Sequence, residues 1–156
     1  MSVVYLWVKW LHILSSTLLF GTGIGIAFFM RLAHRRGNVA EIAGTARTVV
    51  VADACFTAPA VVMQLATGLW LTNRSGIGLS PLWVRAALLL FCLVGACWLP
   101  VLWLQMRARD LAAAAVLNNS SLPASYYRIM RWWFWFGWPA FFGVIAIFWL
   151  MVEKPG

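Results

Sequence analysis

The stretch Tyr5–Met30, YLWVKWLHILSSTLLFGTGIGIAFFM, reads as one long apolar helix that nevertheless carries Lys9 and His12. At about 1.5 Å per residue it rises about 39 Å, enough to cross a hydrocarbon core of about 30 Å with some tilt. Lys9 and His12 are three residues apart and share a face that continues through Tyr5, Ser16, Phe20 and Gly23. A second row, Thr17, Gly21 and Gly25, sets small residues at every fourth position, where a neighbouring backbone can approach closely. The helix therefore has an inward side. His12 lies about 13 Å along the axis, beyond easy snorkelling, and an ionisable residue at that depth faces a bundle interior. Three readings of it stand open: a neutral imidazole hydrogen-bonded to another helix, a ligand for a metal or haem iron, and a proton-transfer group.

The rest of the 156-residue chain has the same character, 63% hydrophobic and 10% charged, with a mean hydropathy of +0.86. A soluble domain of this length carries far more charge. The formal charge of +8 does not point to nucleic acid, because the basic residues sit beside apolar spans and no recognition module is visible. Cys55, Cys92 and Cys97 are odd in number, fall within apolar segments and form no CxxC pair, so they read as small apolar fillers. The first span is too long for a signal peptide's apolar core and no small-residue cleavage site follows it, so the N-terminus is expected to be retained.

Four spans follow in order, at about residues 3–30, 48–72, 82–106 and 132–152, within a single domain over 1–156. The fold class is all-α, an integral-membrane four-helix bundle. The connection 31–47 holds Arg31, Arg35, Arg36 and Arg47 against one acid, Glu41; the connection 107–131 holds Arg107, Arg109, Arg128 and Arg131 against Asp110. Eight of the twelve basic residues thus lie in these two loops, and the positive-inside rule puts both in the cytoplasm and both termini outside. Gly37-Asn38 punctuates the end of the first helix, and residues 39–47 are expected to form a short interfacial turn of helix leading into the second span. His34 is expected to be solvated or at the headgroups.

The second span contains Asp53, Thr57, Pro59, Gln64, Thr67 and Gly68. That polar content is expensive against lipid, so this helix is placed inside the bundle, with a kink at Pro59. Asp53 is expected to pair with an arginine of a basic loop or to reach interfacial water, a proton relay being the rival reading. Arg85, one turn into the third span, either snorkels to the outer headgroups or meets an anionic ligand group. The Ala112–Ala115 run extends the third helix beyond the membrane until NNSSLP (118–123) ends it. The cluster WWFWFGWP (132–139) reads first as an interfacial anchor.

With this topology Lys9, His12, Gln64, Gly68 and Arg85 share the outer half of the bundle. A porphyrin needs an axial imidazole, a glycine where the ring approaches, and cations for its propionates; His12, Gly68 and the pair Lys9 and Arg85 can fill those roles. Along its whole length the chain resembles an uncharacterised bacterial family of small predicted integral membrane proteins, most plainly in KWLHILSSTLLFGTGIGIAFFM (9–30). More distantly it is similar to the HemJ type of protoporphyrinogen IX oxidase, a four-span haem-b protein. That likeness rests on Tyr5-Leu6-Trp7-x-Lys9-x-Leu11-His12, on Pro59-Ala60 followed by Gly68-Leu69, on Trp83-x-Arg85 and on Lys154-Pro155. It implies His12 as haem ligand, with Lys9 and Arg85 near the propionates. HemJ's late helix 1 Pro-Arg pair and helix 3 histidine have no counterpart, and its Asn-Glu-x-Pro reads Phe136-Gly137-Trp138-Pro139 here.

The expected function is that of a haem-b-binding redox protein of the bacterial cytoplasmic membrane, transferring electrons or oxidising a membrane-accessible substrate. The alternative is a non-catalytic membrane subunit or assembly partner of a larger complex. The lipid bilayer is the expected partner, with a second copy of the chain or a redox protein beside it, and no nucleic acid.

Overall fold

The computed structural model describes residues 2–155. Within them lie five α-helices: α1 (Val3–Arg36), α2 (Val39–Ala52), α3 (Ala58–Arg74), α4 (Leu82–Leu117) and α5 (Ala124–Glu153). A π-helical segment, Asp53–Thr57, joins α2 to α3, so that Val39–Arg74 runs as one rod. Four helical rods are long and apolar enough to cross a membrane, and there is no strand among the described residues. Each expected span falls within one rod.

Local chemistry sets the ends. The Ser2 side chain accepts from the Tyr5 N–H and caps α1; Gly37, at φ 72°, closes it in the left-handed region that glycine enters without a Cβ penalty. Asn38 then caps α2 by accepting from the Glu41 N–H at 3.0 Å. With that two-residue turn and nothing to break the chain before Asp53, residues 39–47 are helical, as expected, and run without interruption into the second rod. The kink expected at Pro59 takes the form of the π-turn just before it, where the Ala58 N–H reaches back to the Asp53 carbonyl. Pro59 has no N–H for the Cys55 carbonyl and its ring presses toward it, and a widened turn upstream relieves both problems. NNSSLP ends α4 as expected, with Asn119 at φ 47° and the Ser120 N–H bonded to the Ala115 carbonyl.

The core lies at the end of the bundle that carries the basic loops, the basic end. There α1, α2, α4 and α5 share one apolar cluster in which Ala46, Ala108, Ala112 and Tyr126 are fully buried. The alanines let the α2 and α4 backbones close together, so the Ala112–Ala115 run packs as well as extends the helix. His34 is half-buried rather than solvated, its ring against those of Tyr126 and Tyr127 at 5.8 and 5.7 Å. Toward the far end α3 packs on α1 and α4 packs on α5. The main bridge between these pairs is Phe20, stacked on Phe141 at 5.7 Å and edge-on to Phe148 at 5.5 Å.

The α4–α5 seam is tight at Gly143, where an added Cβ would stand 2.5 Å from Val94 Cγ2. A β-branched neighbour has little rotamer freedom to yield. Gly143→Ala is therefore expected to destabilise the detergent-solubilised protein by about 1–3 kcal/mol. Adding Val94→Ala should restore most of that loss in a thermal unfolding series; a double variant no more stable than Gly143→Ala alone would refute the contact as its cause.

Candidate functional site

His12 is held by the facing turn of α3. Its Nδ1 lies 2.8 Å from Thr67 Oγ1 and its Nε2 lies 3.1 Å from Gln64 Nε2. The Thr67 hydroxyl is 2.6 Å from the Met63 carbonyl oxygen, to which it donates. Its single hydrogen is spent there, so Thr67 Oγ1 accepts from His12, and Nδ1 carries the proton. Nε2 is then the bare nitrogen, accepting from the Gln64 amide. Gln64 Oε1 in turn accepts from the hydroxyl of Ser15, a buried residue one turn further along α1. Every member of this chain is neutral, and its donors and acceptors run in one direction from Ser15 to the Met63 carbonyl. A satisfied network of this kind suits a low-dielectric span, where each unpaired polar atom is costly.

Gly68 completes the site. A Cβ added there would meet His12 Cε1 at 3.2 Å and Nδ1 at 3.8 Å, so the missing side chain makes room for the imidazole itself. The role expected for Gly68, a gap for a porphyrin, is thus taken by the ring of His12. Lys9 and Arg85 are both exposed. Arg85 stands on α4, which shares little packing with α1, whereas Lys9 lies one turn before His12 on the same stripe of α1. Of the five expected site residues, His12, Gln64 and Gly68 meet directly across the α1–α3 seam.

Whether these residues suit a haem is a question of donor chemistry. An axial histidine presents one bare nitrogen while its other N–H is held by a protein acceptor, and the tautomer imposed by Thr67 meets that requirement. The amide of Gln64 now occupies the bare nitrogen, as a single bond from a side chain with rotatable torsions. Among the described residues no three His, Cys, Asp or Glu side chains gather as a metal-binding set, and the donor this site presents is His12 Nε2.

A second polar cluster joins three helices at the basic end. Asp53, only 4% exposed, accepts from Gln105 Nε2 at 2.8 Å, and Gln105 Oε1 accepts from the Trp133 indole N–H at 3.2 Å. Asp53 therefore meets a buried amide rather than the arginine or interfacial water expected of it. Gln105, the lone amide in the third apolar run, is the signal in the sequence that points to this partner.

One family model covers residues 6–155, under the description "Predicted integral membrane protein (DUF2269)". The chain belongs to that family. Neither the curated proteins nor the solved structures offer a match. Family membership and the four apolar rods together make this an integral membrane protein. In that setting WWFWFGWP divides: Trp132, Trp135 and Trp138 are more than half exposed, whereas Trp133 turns inward to Gln105.

Proposed function

We propose that the protein binds haem b through His12 Nε2 and serves electron transfer, or oxidation of a membrane-accessible substrate, in the bacterial cytoplasmic membrane. The observation that carries this reading is the directed chain Thr67–His12–Gln64, which fixes a neutral imidazole with Nδ1–H held and Nε2 bare. Haem b, when bound, supplies one-electron chemistry. The chain's own part is to hold the ring orientation through Thr67, to leave room for the ring at Gly68, and to cover the lone pair with Gln64 until it is used. The test is a visible spectrum of the protein purified in mild detergent, before and after dithionite. A Soret band that shifts on reduction is expected; a colourless protein after haemin supplementation would overturn the proposal.

The same network favours a second reading, a non-catalytic subunit in which Ser15, Gln64 and Thr67 only latch α1 to α3. Two variants separate the readings. If iron takes Nε2 in place of the amide, Gln64→Leu keeps its haem. Thr67→Val, which removes the acceptor that fixes the tautomer, should lower haem affinity about 10-fold or more. Equal haem retention in both would show that Thr67 does not set the ligand's tautomer.

The reading also places residues 31–47 and 107–131 in the cytoplasm and both termini outside, on the charge of those loops. Single cysteines introduced near either terminus of a cysteine-free variant should react with an impermeant maleimide in intact cells. Labelling only after the cytoplasmic side is opened would reverse the orientation.

A further inference from the structure

The basic end carries a groove unrelated to His12. A cavity of about 540 Å³ opens between α4 and α5, and its α5 wall is one helix face: Arg128 and Arg131 at the rim, then Trp132, Trp135, Phe136 and Pro139 running inward. The opposite wall is α4, at Cys97. These α5 positions follow the i, i+3, i+4, i+7 spacing of a single stripe. From Arg128 to Pro139 the helix rises about 16 Å, close to half of a hydrocarbon core of about 30 Å. The groove thus matches one leaflet in length, with its cations at one end and apolar residues toward the other.

Among the described residues the two guanidiniums have no anionic partner. Of its four acids, Glu41 is paired with Arg36, Asp110 with Arg109, and Asp53 is buried on Gln105. The fourth, Glu153, lies at the far end of α5. No salt bridge to Arg128 or Arg131 is present among the described residues. Both arginines are exposed, as are Trp132 and Trp135 at 54% and 67%.

We propose that this groove binds an anionic phospholipid of the adjoining leaflet, its phosphate held by Arg128 and Arg131 and one acyl chain laid along Trp132, Trp135 and Pro139 toward Cys97. Guanidinium pairs match phosphate oxygens in fork geometry, and basic pockets between spanning helices on the basic side of a membrane select anionic headgroups. Length, polarity gradient and unpaired charge all call for one amphiphile with an anionic head. The site stands independently of haem binding at His12.

Native mass spectrometry of the full chain, released from micelles doped equally with phosphatidylglycerol and phosphatidylcholine, tests this. The wild type should retain phosphatidylglycerol preferentially. Each of Arg128→Gln and Arg131→Gln should weaken that preference about fivefold, while Arg109→Gln, whose arginine already has Asp110, should leave it intact. Cys97→Trp, which fills the inner end, should reduce retention of long-chain phosphatidylglycerol and spare a short-chain analogue. Equal retention of the two lipids by the wild type would overturn the proposal. So would an undiminished preference in the Arg128→Gln/Arg131→Gln variant, or loss from that variant of a co-purifying acidic protein with its lipid unchanged.

Discussion

If the protein binds haem as proposed, His12→Ala is expected to lose most of it while still inserting and running as a monodisperse species. Loss of the imidazole removes the one nitrogen whose tautomer is set for coordination, and leaves the apolar span that drives insertion untouched. His34→Ala is the control. His34 packs against Tyr126 and Tyr127 at the basic end, remote from the α1–α3 cluster, and should keep the wild-type haem-to-protein ratio. If His12 is only a latch, its removal strands Gln64 and Thr67 instead. The outcome is then a loss of about 1–3 kcal/mol in stability with the spectrum unchanged. Full haem occupancy in His12→Ala would refute the ligand assignment.

The largest loss of stability is expected for Gln105→Leu. One substitution leaves both the Asp53 carboxylate and the Trp133 indole N–H buried without their partner. An orphaned buried group costs about 1–3 kcal/mol, more when charged, so the sum should be about 3 kcal/mol or more. Replacing acceptor and donor together is far milder, because no carboxylate is then stranded. Asp53→Leu combined with Gln105→Leu should therefore recover part of the loss, the indole alone remaining unpaired. Reversible unfolding in mixed micelles measures all three proteins; a double variant less stable than Gln105→Leu would show that the carboxylate is not the source of the cost.

Gly68 sharpens the link between packing and site. Even a methyl at that position stands 3.2 Å from His12 Cε1, tighter than ordinary van der Waals contact, so the ring must shift against its bonds to Gln64 and Thr67. Gly76 is a different case: it turns the chain at φ 71° with open space around it, and a side chain there meets only the left-handed backbone penalty of about 1–2 kcal/mol. Gly68→Leu should therefore disturb haem content and assembly, and Gly76→Leu stability alone.

The sequence by itself determined the four spans and the turns that end their helices. Apolar runs of about 20 residues have few ways to satisfy their backbone in lipid, and the helix is the local one. Gly37-Asn38 and NNSSLP stop helices through their own dihedral and capping preferences, wherever the helices later pack. Axial rise then put His12, Gln64 and Gly68 at one level before any contact was known. Rotation about each helix axis was decided only by the tertiary structure. Lys9 and His12 share a stripe in sequence, yet packing against α3 turns His12 onto Thr67 and Gln64 and leaves Lys9 exposed. Asp53 likewise found Gln105, 52 positions away, rather than an arginine of the nearer loops. A helix read alone fixes how far along its axis a residue sits; which neighbour that residue meets depends on side-chain packing between helices, and here shared apolar burial at the basic end joins the four rods.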